Sequence, residues 1–330
     1  MTKVCILDPA CHIPSLKTLF PDAEYFAHEP DSFFRYPTTP HPTKEENLRD
    51  YGFSYRTDWE NIKSSEFSTI FIVAPLLDYF DSKEKWNKNE LVGMRDRISE
   101  LLLVNSFEKV VVFDVYDYDY EPNTIGCTWK ATFFFKRYYN KKKDYQPNVF
   151  PFPFMMFLKP CVLGLVLNTK PVQKTLQSIP VGLWVGGLYT HTDTTYDIVR
   201  DRLGIYQQIH SLIYTLQNVP QSEFINTLQQ FKIGIDLIGV GSPNKRTFEI
   251  LHSGSLLMSM CNDLKWPFDE GDEFSEETLF STAEEFRTKY ETLLLNADVY
   301  NKCMEKQNTL IEKYFNQEWL SLYIKKCVFY

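Results

Sequence analysis

The sequence has few glycines: 13 in 330 residues, against 20 tyrosines and 26 phenylalanines. It contains no G-x-x-x-x-G-K-[ST] and no G-x-G-x-x-G motif, and it also lacks H-E-x-x-H and G-x-S-x-G. These absences leave P-loop phosphate binding, dinucleotide binding of the common fingerprint type, zincin metalloprotease chemistry and α/β-hydrolase chemistry without support.

The sequence also lacks a disulfide framework, an excess of basic residues and an uninterrupted apolar segment that could span a membrane. The seven cysteines, an odd number, include no C-x-x-C pair, which predicts reduced thiols in a cytoplasmic protein. Acidic residues outnumber basic ones by 43 to 35, so the net charge is −8. Binding to nucleic-acid phosphates needs a basic surface, so nucleic acid is not the expected partner and remains only a candidate acceptor. The apolar segment 150–167 contains three prolines, which disfavour a membrane-spanning helix.

The hydrophobic pattern predicts an α/β protein. In the first half, apolar runs at 3–8, 68–75 and 109–114 resemble buried parallel strands, and a helix pattern occupies 90–105. The pattern restarts after Lys170. It predicts strands at 180–186, 232–240 and 255–260 and helices at 197–216 and 243–253. The rest of the chain is predicted to be helical, with a capping box at 281–284. This order of strands and helices predicts two parallel α/β halves.

The position of the prolines predicts the domain boundaries. Prolines crowd residues 146–160, between the two α/β patterns. We therefore predict an N-terminal domain, a proline-rich connector, a C-terminal domain and a tail helix packed back on the first domain, over residues 1–150, 151–177, 178–318 and 319–330. Two α/β halves joined in this way would form a cleft between them.

The most informative stretch surrounds the helix predicted near residue 245. Ser242 is a favourable N-cap residue, Pro243 suits the first helical position, and Gly254 is placed to end the helix. A helix that begins just after a strand attracts anions, because its free N–H groups and the positive end of its dipole coincide. Lys245 and Arg246 would add two cations to that first turn.

Glu249 follows these cations by one helical turn, at i+4 from Lys245 and i+3 from Arg246. Such a set could hold a nucleoside diphosphate, with the cations on the phosphates and the carboxylate on both ribose hydroxyls. The alternative is an ordinary solvated ion pair on a helix surface. Two observations favour the nucleotide: cations in a first turn oppose the helix dipole, and ligands bind at the carboxyl ends of strands in such folds.

The order strand, Gly-x-Gly, Ser-x-x-x-Arg-x-x-Glu-x-x-x-x-Gly, strand resembles the donor half of GT-B glycosyltransferases. It is most similar to the group 1 type, including CgeB-like and exostosin-like enzymes. In this sequence the run consists of Ser242, Arg246, Glu249 and Gly254. The resemblance extends over residues 178–322, whereas the N-terminal half is a weaker match, as expected of an acceptor domain.

The resemblance implies an α/β fold of two Rossmann-like domains facing a cleft. It implies an enzyme that moves a hexose or pentose from a nucleoside diphosphate-sugar, such as a UDP-sugar, to an acceptor hydroxyl. The acceptor would belong to a glycan, a protein or a modified nucleobase. No essential metal and no further cofactor are implied. A nucleotide- or glycan-binding module with the same fold but without turnover is the alternative from another functional class.

The resemblance also implies the donor-binding residues. Glu249 would hold the ribose, and Lys245 and Arg246 the diphosphate. Further donor contacts would come from the loop after the second domain's first strand, from an arginine that follows it, and from the start of the donor helix: Gly186, Gly187, Arg200, Gly241, Ser242 and Asn244. Many retaining members carry a glutamate where this sequence has Gly241, so the stereochemical outcome stays open.

Three residues are candidates for the base that deprotonates the acceptor. His12 lies in the loop after the first predicted strand, where some GT-B enzymes carry this base, and an imidazole titrates near neutral pH. Asp8 and Asp114, which end the first and third predicted strands, compete for the role.

Two other segments carry alternative interpretations. Asp117 and Asp119 form an Asp-x-Asp motif after a strand, through which a metal-dependent GT-A-type transferase would bind a divalent cation. Residues 133–143 interleave aromatic rings with Lys136, Arg137 and three further lysines. This basic-aromatic segment could bind a phosphorylated or nucleic-acid acceptor, but a solvated helix face above a buried aromatic face is the favoured interpretation.

Overall fold

The computed structural model describes residues 3–9, 13, 15–27, 54–74, 88–114, 129–151, 179–185, 197–216, 221–237, 245–260 and 263–330. The chain divides into two compact units. The first comprises Met1–Tyr139, Lys143–Cys161 and Leu320–Tyr330, and the second comprises Asn140–Lys142 and Val162–Trp319. Of the predicted connector, only Pro151 is described, so the predicted domain boundaries stay a prediction.

The first unit is built on a six-stranded sheet whose described pairings are all parallel. In chain order its strands are β1 (Val4–Leu7), β2 (Glu24–Phe26), β3 (Thr69–Ala74), β4 (Lys109–Asp114), β5 (Phe133–Lys136) and β6 (Val149–Pro151). Their order in the sheet is β2-β1-β3-β4-β5-β6. The described residues of this unit also form the α-helices α1 (Ser15–Leu19) and α2 (Lys88–Val104).

The central strands of this sheet are apolar along their whole length because both faces are covered. On one face, the rings of Phe71, Phe113 and Phe135 from three adjacent strands pack in a row, with centroids 5.4 Å and 4.9 Å apart. The opposite face is buried in a second cluster that includes Ile72 and Val112. The continuous apolar runs of the sequence follow from this two-sided burial.

The second unit is built on a four-stranded parallel sheet in the order β10-β9-β7-β8. Its strands are β7 (Ile179–Val185), β8 (Tyr214–Leu216), β9 (Phe231–Asp236) and β10 (Leu256–Ser259). Its helices are α3 (Asp197–Ile209), α4 (Gln221–Leu228), α5 (Lys245–His252), α6 (Ala283–Leu295) and α7 (Ala297–Tyr314).

The last helix, α8 (Gln317–Phe329), contributes residues from Leu320 onward to the first unit. The Tyr323 hydroxyl donates to the Pro151 carbonyl at 2.9 Å, and the Lys109 ammonium donates to the Val328 carbonyl at 2.8 Å. The Tyr323 ring also meets Phe135 edge to face. The end of the chain is therefore held against the sheet of the first unit. In the described part of the chain, no helix combines the length and the apolar character needed to cross a membrane.

The predicted strands and helices are largely confirmed, with three corrections. Residues 214–216 form the edge strand β8 instead of the end of a long helix. Residues 133–136 form the strand β5, not a helix face. The cap of α6 is Thr282 rather than Ser281: the Thr282 hydroxyl accepts the Glu285 N–H, and the Glu285 carboxylate accepts the Ser281 N–H. The three residues of β8 are too few for a hydrophobic period to show. The aromatic run of β5 suits a strand, because a strand buried on both faces is apolar along its length.

Candidate functional site

The predicted donor helix is present as α5, which lies in the chain between the adjacent strands β9 and β10. Lys245 and Arg246 occupy its first turn. Gly254 follows its end with φ +72°, and the Gly254 N–H donates to the Leu251 carbonyl at 3.3 Å. This left-handed conformation is the usual helix stop and favours glycine. The prediction that both residues belong to the first turn of this helix is therefore confirmed.

Glu249 is buried in the middle of α5, with only 3% of the residue exposed. The surface ion-pair interpretation needs a solvated carboxylate and is therefore wrong. Phe248 and Ile250 on either side are fully buried, so α5 is enclosed on more than one face. A carboxylate in such surroundings is costly unless polar groups or charges compensate for its lost hydration. The presence of Glu249 is therefore not explained as that of an ordinary solvated surface carboxylate.

A carboxylate that the sequence analysis missed lies next to this helix. Asp236 is the last residue of β9 and is fully buried. The Thr247 hydroxyl, in the first turn of α5, donates to the Asp236 carboxylate. The Asp236 carbonyl accepts the Met260 N–H at 3.0 Å, just beyond β10. The available signal was a single aspartate that closes the apolar strand at 231–236.

The other predicted donor residues are described in part. Arg200 lies in the first turn of α3. Gly186, Gly187, Gly241, Ser242 and Asn244 lie outside the described residues. His252, in the last turn of α5, is half-buried, and burial lowers the pKa of its imidazole.

In the first unit, Asp8 follows β1 and is fully buried. Its Oδ2 accepts two hydrogen bonds, from the Ile13 N–H at 2.7 Å and from the Tyr25 hydroxyl at 2.8 Å. Its own N–H donates to the Phe26 carbonyl at 2.9 Å. The carboxylate therefore ties the loop after β1 to β2. His12, the residue before Ile13, lies outside the described residues.

Asp114, the last residue of β4, is also fully buried, and its Oδ2 lies 3.5 Å from the Nζ of Lys136. Lys136 ends β5 and is the direct register partner of Asp114. Lys142 belongs to the second unit, within which its ammonium lies 2.7 Å from the Asp263 carboxylate. The basic-aromatic segment 133–143 is therefore not one solvated face, because Lys136 is enclosed within a sheet and Lys142 is paired elsewhere.

The second unit also contains a cavity of about 400 Å³. Trp266, Phe268 and Phe274 line it together with four acidic residues, Asp269, Glu270, Asp272 and Glu273. These four carboxylates outnumber the two lysines in the lining, Lys141 and Lys265, which disfavours a diphosphate in this cavity. Among the described residues, no three His, Cys, Asp or Glu side chains are grouped to hold a metal ion. Asp117 and Asp119 fall outside the described residues.

No protein-family model matches this sequence, and no curated protein matches it. Solved structures do match over almost the whole chain. The DNA-modifying enzyme β-glucosyltransferase has a TM-score of 0.51 at 11% identity, with 99% of each chain covered. Trehalose-6-phosphate synthase OtsA has a TM-score of 0.54 at 8% identity, and a UDP-forming α,α-trehalose-phosphate synthase from Burkholderia vietnamiensis has 0.52 at 8%, again with 99% of each chain covered.

These similarities establish the fold. Each unit of this chain has a parallel sheet with helices, and the whole chain aligns with glycosyltransferases from end to end. The resemblance to GT-B glycosyltransferases found in the sequence is thus confirmed as a resemblance of fold. At identities of 8–11%, the activity has to be argued from the site.

Proposed function

We propose that this protein is a glycosyltransferase that moves a sugar from a nucleoside diphosphate-sugar, most simply a UDP-sugar, to an acceptor hydroxyl. The observation that carries the proposal is the buried Glu249, one helical turn beyond two cations. It belongs to a chain whose fold is shared with a UDP-forming synthase and a β-glucosyltransferase. Neither the fold nor the helix alone would support the activity; their combination does.

The donor site follows from the electrostatics of α5. Lys245, Arg246 and the first-turn N–H groups offer positive charge to a diphosphate. Glu249 lies deeper, where little water competes, and its two oxygens can each accept a hydrogen bond from one ribose hydroxyl. Gly186, Gly187, Arg200, Gly241, Ser242 and Asn244 stay predicted donor contacts.

The acceptor site belongs to the strand ends of the first unit. We assign the base to His12: it takes the proton of the acceptor hydroxyl while the oxygen bonds to the anomeric carbon. The bond from that carbon to the diphosphate breaks, and its electron pair leaves with the nucleoside diphosphate. Asp8 supports this assignment, because it holds the residue after His12 and already accepts two hydrogen bonds. Asp114 is enclosed beside Lys136 and is poorly placed to meet an acceptor.

The acceptor class is a glycan or another hydroxyl compound. The β-glucosyltransferase of similar fold modifies DNA, but this chain has a net charge of −8, and Lys136 is buried. A DNA duplex is therefore disfavoured as acceptor here. A cytoplasmic location and a reaction without an essential metal complete the proposal.

Calorimetric titration with UDP and GDP tests the donor site. Glu249→Gln keeps the shape of the side chain but removes its charge, so we expect a loss of about 1.5 to 3 kcal/mol, or roughly 10- to 150-fold in Kd. Glu291→Gln is the matched control, because Glu291 lies exposed on α6 of the same unit. Equal affinity in wild type and Glu249→Gln would place the nucleotide elsewhere.

Turnover separates an enzyme from a binding module of the same fold. We expect slow hydrolysis of a UDP-sugar without acceptor, measured as release of UDP. The rate should survive EDTA, and Asp117→Ala with Asp119→Ala should still bind the donor. Loss of donor binding on chelation would instead favour the metal-dependent transferase. Tight UDP binding with no hydrolysis and no transfer would favour the binding module.

A further inference from the structure

Two contacts fix α5 against β9. At the first, the Thr247 hydroxyl donates to the buried Asp236 carboxylate. At the second, the helix lies directly on Gly234: a Cβ atom at that position would come within 2.5 Å of Ile250 Cγ2 and 2.7 Å of Ile250 Cγ1. The absence of a side chain at Gly234 therefore permits this close approach.

The two contacts join one side of β9 to one face of α5. Gly234 and Asp236 are two residues apart on a strand and face the same side. Thr247 and Ile250 are three residues apart on a helix and share a face. The two contacts with β9 thus form one stripe along the helix, which helps to set both its position along β9 and its rotation about its own axis.

That stripe determines where the proposed donor residues face. Arg246 and Glu249 each precede one of the two contact residues by one position, so they lie about 100° round the helix from the stripe, since an α-helix has 3.6 residues per turn. A small rotation of α5 would therefore displace the Arg246 and Glu249 side chains together. A nucleotide site on α5 therefore depends on a fixed rotation of the helix about its own axis.

We propose that Asp236, acting through Thr247, is a positioning residue of the nucleotide site; the inference rests on the proposed function. Its backbone also joins β9 to the end of β10, through the Met260 N–H and the register pair with Ser259. A fully buried carboxylate is an expensive way to hold a helix, because well-packed apolar groups usually do so at lower cost. A charged acceptor does make a shorter and more directional hydrogen bond than a neutral one.

The test compares variants that differ by one hydroxyl. Thr247→Val keeps the shape but cannot donate to Asp236, and we expect about a tenfold weaker Kd for UDP, equivalent to one such hydrogen bond. Thr247→Ser keeps the hydroxyl and should bind UDP within about twofold of wild type. Thr278→Val is the matched control: Thr278 is equally buried and donates to the Ser275 carbonyl at 2.7 Å, away from α5.

Urea unfolding of the same variants separates positioning from stability. If Thr247→Val and Thr278→Val lose similar stability but only the first loses UDP affinity, the positioning role holds. If Thr247→Val binds UDP like wild type, the contact is structural only and the inference is wrong. Should Thr247→Val not fold, Thr247→Ala, which also removes the hydroxyl, is measured instead with the same two criteria. Failure of wild type to bind UDP or GDP would overturn the proposed function itself, and the positioning role with it.

Discussion

At the scale of single residues, three aspartates share a common environment. Asp8, Asp114 and Asp236 each lie at or just after the carboxyl end of a parallel strand, and all three are fully buried. Each has a named polar neighbour: Tyr25, Lys136 and Thr247 respectively. Buried carboxylates weaken a fold unless compensated, and open α/β sheets in general bind ligands at the carboxyl ends of their strands, so these aspartates are candidates for a functional role.

We predict that His12→Ala lowers kcat about 10²- to 10⁴-fold while the Kd of the donor stays nearly unchanged. The reason is that a base acts on the acceptor hydroxyl and not on the nucleotide. Steady-state kinetics with calorimetry gives both quantities. His210→Ala is a suitable control, because His210 lies exposed at the end of α3 and contacts only the nearby Gln207 carbonyl and the Tyr206 ring among its described contacts. A His12→Ala enzyme with normal kcat would transfer the role to another group.

We predict that Lys136→Met destabilises the protein by about 3 to 5 kcal/mol, because it leaves the Asp114 carboxylate buried without its cation. Adding Asp114→Asn should recover a large part of that loss, since the uncompensated charge is then removed. Urea unfolding of both single variants and the double variant gives the coupling energy. Additive losses in the double variant would show that the two side chains do not act as a pair.

At the scale of elements, the start of α6 allows a sharp test of a cap. The structure assigns the N-cap to Thr282, whose hydroxyl accepts the Glu285 N–H at 3.1 Å, whereas the sequence indicated Ser281. Thr282→Ala should therefore cost about 1 kcal/mol of stability. Ser281→Ala is the neighbouring control and should stay within about 0.5 kcal/mol, as for an ordinary surface change. If chemical denaturation shows the larger loss of stability for Ser281→Ala, the N-cap is Ser281, as the sequence indicated.

At the scale of the whole molecule, the response to acid should depend on a cluster on the second unit. The Lys313 ammonium, through hydrogen bonds, lowers the pKa values of the Asp269 and Asp272 carboxylates. A carboxylate with a lowered pKa contributes stability above its unfolded pKa of about 4, and that contribution is lost as the pH falls through the folded value. The cluster should therefore support the fold at neutral pH and cease to do so in acid.

Lys313→Met tests this acid dependence. The melting temperature of the variant should lie below that of wild type at pH 7, and the gap should narrow as the pH falls below about 4. Lys302→Met, on an exposed position of the same helix, serves as the control. A gap that stays constant from pH 7 to pH 2.5 would mean that Lys313 contributes through packing and not through charge.

The sequence by itself was sufficient for the α/β class and for the longer apolar strands, but not for the short strands β5 and β8. The apolar runs at 4–7, 69–74, 109–114, 231–236 and 256–259 are all strands of parallel sheets. They were recognisable because a strand covered on both faces is apolar throughout, which is a local property of the chain. The start of the donor helix and its glycine stop are also local signals, and they placed Lys245, Arg246 and Glu249 on one element.

The tertiary structure alone decided which polar residues are enclosed. Nothing in the sequence distinguishes Lys136, which is buried beside Asp114, from Lys142, which is exposed and paired with Asp263. Nor does it distinguish Glu249 from a surface carboxylate, or show that Asp236 accepts the Thr247 hydroxyl. Burial and hydrogen bonding depend on residues that are distant in the chain and meet only when strands pair and helices pack. Hydrophobic periodicity indicates the environment of a single helix or strand, whereas a functional site combines residues from several of them.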